Sequence, residues 1–150
     1  MDVIKNSEEK KYLVFRIGEE EYGADIRKVT TIIEKNMSIT RVPRTPDYII
    51  GVINLRGDII PIMDLRKKFD LPEIEDTEDT RIIIIHIDDI LLGLVVDSVV
   101  EVVNLTEESI ESLSNFSSNL SIEYIFGVGK VNGRIITILN LENLIKLEEI

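Results

Sequence analysis

Three groups of residues carry the types from which chemistry is built. The only histidine, His86, stands in the middle of RIIIIHI (81–87). A histidine-based triad would have to use it, and nothing around it sets a serine or a carboxylate in place. It reads as a strand histidine, packed or at an edge. The second group is the carboxylates of DLPEIEDTEDT (70–80). They follow neither the spacing of a calcium loop nor its turn glycine, and read as a solvated acidic connector. The third is GVGKVNG (127–133), which has glycines but leads from strand into hairpin rather than from strand into helix, so it is no dinucleotide fingerprint. With no cysteine in the chain, thiolate catalysis, disulfides and cysteine-bound zinc are excluded. No nucleophile, base and oxyanion site assemble. The expectation is a protein without catalytic activity, cofactor or metal.

Charge narrows the partners. The formal charge is −11, and aromatics make up 5% with no tryptophan. A nucleic-acid backbone requires a basic footprint and single strands require stacking platforms, so nucleic acid is not expected as a partner. Attachment to anionic lipid is disfavoured by the same sign. The charge is uneven: residues 1–75 hold 13 Lys/Arg against 14 Asp/Glu, and residues 76–150 hold 4 against 14. The N-terminal stretch lacks an apolar signal core, and Asp97 and Glu101 interrupt the longest apolar run. A cytoplasmic protein without membrane insertion is expected.

The elements read as an all-β chain with short helices. Residues 1–11 are expected to be frayed. Strands follow at YLVFRI and, beyond a turn at Gly18, at EEYGADI. Ile26, Val29, Ile32 and Ile33 fit either a helix turn or a strand. Pro43 and Pro46 mark a loop. IIGVIN, a turn at LRGD and IIPIMDL form a hairpin, and Asp64 caps a short helix whose Leu65 and Phe69 lie four apart. After the connector, Ile82–Ile85 shows no polar alternation and is expected to be buried on both faces. A turn at Asp88-Asp89 leads to ILLGLVV and SVVEVVNL. Thr106 before Glu107 and Glu108 predicts a helix start. SNFSSNLS is a polar loop carrying Phe116. Asn132-Gly133 is a strong hairpin signal, and a last helix begins near Leu141.

The chain repeats itself. Residues 51–69 set over 127–145 match at seven of nineteen positions with an offset of 76. Residues 13–33 lie over 83–103 with an offset of 70, aligning Gly23 with Gly93 and Val29 with Val99. The order of elements is the same in both halves. Copies at about 12–69 and 82–145, joined by a connector at 70–81, would give two small five-stranded β-barrel subdomains related by a pseudo-twofold duplication, within a single domain of 1–150. A groove between them suits a partner. Differences between the copies point to function: Asn54-Leu55-Arg56-Gly57 becomes Lys130-Val131-Asn132-Gly133. The glycine persists because the turn needs positive φ. Asn54 and Arg56 do not persist.

The segment PRTPDYIIGVINLRGDIIPIMDLRKKF (43–69) closely resembles the signature of the CheW family of bacterial chemotaxis coupling proteins. The likeness extends through residues 12–29, 91–103 and 123–145. The resemblance implies paired SH3-like barrels with a receptor-binding groove between them. It also implies a non-catalytic adaptor that couples transmembrane chemoreceptors, through their cytoplasmic tips, to the C-terminal regulatory domain of the histidine kinase CheA. Such an adaptor works in the cytoplasm, recruited to receptor arrays that it helps to build. By motif position, Val29, Gly51, Asn54 and Arg56 would lie on or near the receptor-binding surface, and Phe116 would offer a second contact, at the interface between the adaptor and a CheA-like kinase domain. At Thr31 the chain departs from the family, many members of which carry glutamate there. Two alternatives stand beside this reading. One is a small-molecule-binding β-barrel. The other is the coupling domain of a related CheA- or CheV-type protein, against which the opening methionine and the lack of a kinase or receiver segment are expected to count.

Overall fold

The computed structural model describes residues 8–111 and 122–146 of the chain, and among these residues there are eleven strands. The first half contains β1 (Lys10–Ile17), β2 (Glu20–Asp25), β3 (Val29–Glu34), β4 (Ile49–Leu55) and β5 (Asp58–Asp64), closed by helix α1 (Leu65–Lys68). The second contains β6 (Arg81–Ile87), β7 (Ile90–Val96), β8 (Ser98–Leu105), β9 (Ile110–Glu111), β10 (Ile125–Val131) and β11 (Arg134–Leu139), closed by helix α2 (Leu141–Leu144). Lys10 and Lys11, expected to be frayed, already pair with Leu105 and Asn104.

The strands form two sheets, in the orders β8-β1-β2-β11-β10-β9 and β3-β6-β7-β5-β4. The mostly-β reading with short helices stands. Neither ladder closes on itself among the described residues: β8 and β9 end one sheet, β3 and β4 the other. One sheet has six strands and the other five.

Neither sheet belongs to one half of the chain. The β1–β2 hairpin is flanked by β8 and β11 from the second half, and the β6–β7 hairpin by β3 and β5 from the first. The exchange is reciprocal. Gly23 on β2 pairs with Val14 and, in parallel, with Ile138; Gly93 on β7 pairs with Ile84 and, in parallel, with Ile62. These positions correspond at the offsets of 70 and 76 read from the sequence. The bulges repeat as well, at Val14/Phe15 and Val29/Thr31, and at Ile49/Gly51 and Ile125/Gly127.

Strand alternation explains the cores. On β1, Leu13, Phe15 and Ile17 enter a central cluster fed by both sheets, while Tyr12 and Val14 enter a satellite cluster with Val103, Leu105, Ile136 and Ile138. On β6, Ile83, Ile85 and Ile87 join the central cluster, while Ile82 and Ile84 join the other satellite with Ile53, Ile60 and Ile62. Each sheet thus has an apolar residue on both faces, so the run Ile82–Ile85 is fully buried, as its lack of alternation predicts. Each such isoleucine contributes about 1.5–3 kcal/mol when removed from water.

The helices are short because each begins on a side-chain cap and ends within a turn. Asp64 accepts from the Arg66 N–H at 2.9 Å, and Asn140 from the Asn143 N–H at 3.1 Å. Each helix is anchored to the opposite half, with reversed polarity. Arg66 of α1 forks onto Asp97, Nε to Oδ1 at 3.1 Å and Nη2 to Oδ2 at 2.6 Å. At the equivalent place Glu142 of α2 pairs with Lys28. Where the halves meet, the equivalent residues Tyr48 and Tyr124 share one cation, with Lys68 Nζ 4.0 Å and 5.0 Å from their ring centres.

The helix expected after Thr106 is a single 3-10 turn, Glu107–Ser109. The Thr106 hydroxyl bonds the Ser109 hydroxyl at 2.9 Å rather than a backbone N–H. Ile110 and Glu111 then pair with Gly129 and Val128, and a ladder cannot use backbone groups that a helix also needs. Of the two possibilities at Ile26–Ile33, both occur: a 3-10 turn capped by Asp25, then β3.

Candidate functional site

The hairpin β4–β5 carries the residues that differ between the two halves. Its loop is Arg56-Gly57, with φ of +55° and +92°. Two consecutive residues with positive φ make the tight turn that matches strand twist, and such turns favour asparagine followed by glycine. The second half has that pair: Asn132 and Gly133 at +50° and +82°. The first half holds an arginine in the same left-handed backbone. An L-residue other than Asn or Asp is disfavoured there by about 1 kcal/mol. Arg56 is exposed and makes no hydrogen bond or ion pair among the described residues. The turn thus holds a free guanidinium outward at a cost in backbone strain, the usual mark of a functional position.

Asn54 supports the turn. Its Oδ1 accepts from the Gly57 N–H at 3.1 Å, closing the loop that presents Arg56. Across the hairpin Asn54 pairs in register with Ile59, which is 61% exposed. Extending the parallel register back from Ile62 and Gly93 sets Ile59 level with Ile90, another exposed isoleucine. The tip therefore combines a free cation with an apolar shoulder. The Asp88-Asp89 turn lies at the same end of the sheet, because β5 and β7 run parallel from their respective turns. The sequence missed Ile59 and Ile90: each belongs to a run that reads as core, and only the strand register shows that they lie beyond its edge.

Gly51 is buried and faces no solvent. A Cβ at this position would lie 2.4 Å from the Thr40 carbonyl oxygen and 2.6 Å from Ile39 Cγ2. Thr40 bridges to Val52 through two backbone hydrogen bonds of 2.9 and 2.8 Å, so Gly51 is what lets segment 39–40 lie against β4. Gly51→Ala is expected to destabilise the protein by about 3 kcal/mol through forced displacement of backbone. The check is a urea titration. An unchanged midpoint would show that the segment moves aside freely.

Val29 is half-buried at the start of β3, paired with Ile85 and packed against the central core. β3 and β4 are opposite ends of the five-stranded ladder. The structure joins Asn54 and Arg56 on one turn, sets Gly51 within β4, the strand that leads to them, and places Val29 at the far edge of the same sheet. Phe116 lies outside the described residues. His86 is exposed on β6. Among the described residues no cluster of metal-ligating side chains occurs, and no helix is long and apolar enough to cross a membrane.

The CheW-like domain profile matches residues 11–149. The chain belongs to the CheW-like family. The chemotaxis protein CheW of Klebsiella aerogenes is 40% identical over 140 residues, covering 93% of this chain and 84% of that protein. The CheW of Bacillus subtilis is 40% identical over 142 residues, covering 93% and 88%. Helicobacter pylori CheV3 is 32% identical over 127 residues, which are 83% of this chain and 40% of that longer protein. The crystal structure of the scaffolding protein TtCheW from Thermoanaerobacter tengcongensis superimposes with a TM-score of 0.81 at 40% identity, covering 87% of this chain and 88% of that one. A CheW-like chain of this kind is a chemotaxis coupling or scaffold protein.

Proposed function

We propose that this protein is a non-catalytic adaptor that couples transmembrane chemoreceptors to a CheA-type histidine kinase and contributes to assembly of the receptor array. It works in the cytoplasm, with the receptor tips as its route to the membrane. The observation that carries the proposal is Arg56: a free guanidinium in strained left-handed backbone, at a turn whose counterpart in the other half is relaxed. A guanidinium fork suits carboxylates on a helical receptor tip. Asn54 fixes the turn, Gly51 lets segment 39–40 lie against the strand that leads to it, and Val29 contributes from the far edge of the sheet. The kinase contact assigned to Phe116 rests on family resemblance alone. Coupling acts through differential binding: the adaptor transmits a receptor state to the kinase only as far as it binds the two states unequally.

The experiment is co-sedimentation with a receptor signalling fragment and a kinase regulatory domain, each alone and together. The expected result is binding to each, and a ternary pellet when all three are mixed. Failure to bind either one rejects the coupling role.

A further inference from the structure

The arginines divide into two sets. The chain has eight. Arg16 and Arg134 meet Glu21, Arg27 meets Asp25, Arg66 meets Asp97, and Arg81 donates to the carbonyls of Glu78 and Thr80. Arg41, Arg44 and Arg56 have no partner among the described residues. Acidic residues outnumber basic ones 28 to 17, so unpaired arginines are not a result of short supply. Arg56 belongs to the turn discussed above. Arg41 and Arg44 lie elsewhere, in the loop that precedes β4.

This loop lines a cleft of about 510 Å³ together with Ile49, Ile50 and Lys67. The size falls within the range of ligand sites. Lys67 has only a long pair with Glu73, at 3.8 Å. Three cations therefore line the cleft against one carboxylate, Asp47. The loop is also built to hold them. Thr45 donates to the Val42 carbonyl at 3.1 Å, closing a turn around Pro43 and Arg44. Arg44 follows a proline and has φ of +64°, where such turns usually carry glycine or asparagine. As at Arg56, an arginine occupies a backbone state that a smaller residue would fill without strain.

We propose that this cleft binds an acidic peptide segment of a partner protein, with carboxylates on Arg41, Arg44 and Lys67. A peptide fits better than a compact anion for two reasons. The cleft is much larger than one tetrahedral ion, and its walls offer Val42, Pro43 and Pro46 to apolar side chains. Asp47 repels a multiply charged ion, whereas it accepts from the N–H groups that a peptide backbone brings. The cleft is separate from the Arg56 turn: Ile50 and Leu55 lie at opposite ends of β4, about 17 Å apart at strand rise. Because the protein as a whole repels acidic ligands, an isolated peptide binds weakly and a segment tethered to a docked partner binds well.

The test uses fluorescence anisotropy with a short fluorescein-labelled peptide of alternating glutamate and leucine. Arg41→Gln combined with Arg44→Gly is expected to weaken binding by about tenfold or more, the loss of at least one charge-assisted contact. Arg44→Gly also relieves the turn, so a retained or raised thermal midpoint separates lost binding from lost fold. Arg56→Asn is expected to leave peptide affinity unchanged, which makes this result independent of the receptor site. The proposal is overturned if the double variant binds as wild type does, if the glutamine version of the peptide binds equally well, or if inorganic phosphate displaces the peptide at matched concentration.

Discussion

Arg56→Glu is expected to abolish receptor co-sedimentation while leaving the fold intact, and Arg56→Asn to weaken binding while raising stability. Both variants change the same turn, and strain separates them. Glutamate inherits the left-handed backbone of Arg56 at similar cost but presents the opposite charge to the receptor. A central cation whose removal costs 2 kcal/mol or more lowers affinity by roughly thirtyfold, and reversal lowers it further. Asparagine tolerates positive φ, as Asn132 does in the matching turn. It should add about 1 kcal/mol of stability, a rise in midpoint of about 3 °C for a chain of this size. Paired pull-down and thermal melts read both effects. Wild-type receptor binding by the glutamate variant would remove Arg56 from the site. An asparagine variant no more stable than wild type would mean that the strain argument is wrong.

Asp97→Ala is expected to lower the thermal midpoint by about 10 °C at neutral pH. Asp97 accepts three hydrogen bonds: two from Arg66 and one of 2.7 Å from the Gly18 N–H. Both side chains of the ion pair are mostly covered, with 14% and 22% of their surface exposed. Removing one partner of such a pair costs about 3 kcal/mol, because the other is left without compensation; at 2–4 °C per kcal/mol that gives the stated shift. Burial pushes the Asp97 carboxyl up, but the Arg66 guanidinium and the Gly18 N–H outweigh it and hold the group below its ordinary value. A carboxyl lowered by folding contributes its full stability above its unfolded pKa and loses it as pH falls through the folded one. The gap between wild type and Asp97→Ala is thus expected to be full at neutral pH and to close in acid, below the ordinary aspartate value of about 3.9. A gap independent of pH would assign the loss to packing.

The reversed polarity of the two helix anchors bears on this result. If a half folded on itself, Arg66 would meet the Arg27–Lys28 junction of its own half, and Glu142 would meet Asp97. Like charges would face each other in both places. The observed pairs, Arg66 with Asp97 and Glu142 with Lys28, satisfy the charges only when the halves exchange strands.

Much of the local structure could be read from the residues. The turns at Arg56-Gly57, Asp88-Asp89 and Asn132-Gly133, the caps Asp64 and Asn140 and the doubly buried isoleucines each depend on neighbours within a few positions. The partner of a strand does not. The repeat offsets located every element, but the same offsets fit halves that close on themselves and halves that exchange, because the equivalent strands present nearly the same apolar pattern. The charges at 27–28, 66, 97 and 142 held the distinguishing signal. The site divided in the same way. Asn54 and Arg56 stood out because their turn differs from its copy, whereas the buried seat of Gly51 and the exposure of Ile59 depend on contacts across strands. Thr106 misled because a good helix start was followed by residues that the ladder to β10 uses.

The strand exchange also sets when the molecule can exist at all. As the chain leaves the ribosome, the sheet built on β6–β7 finds its last strand at Val96, but the β1–β2 hairpin must wait for β11, more than a hundred residues after β2. Until then the backbone edge of β2, at Glu21, Tyr22 and Gly23, stands unpaired. A protease cutting the exposed connector would not release two independent domains. It would leave two fragments, each holding strands that complete the other, so that a nicked molecule remains a single body.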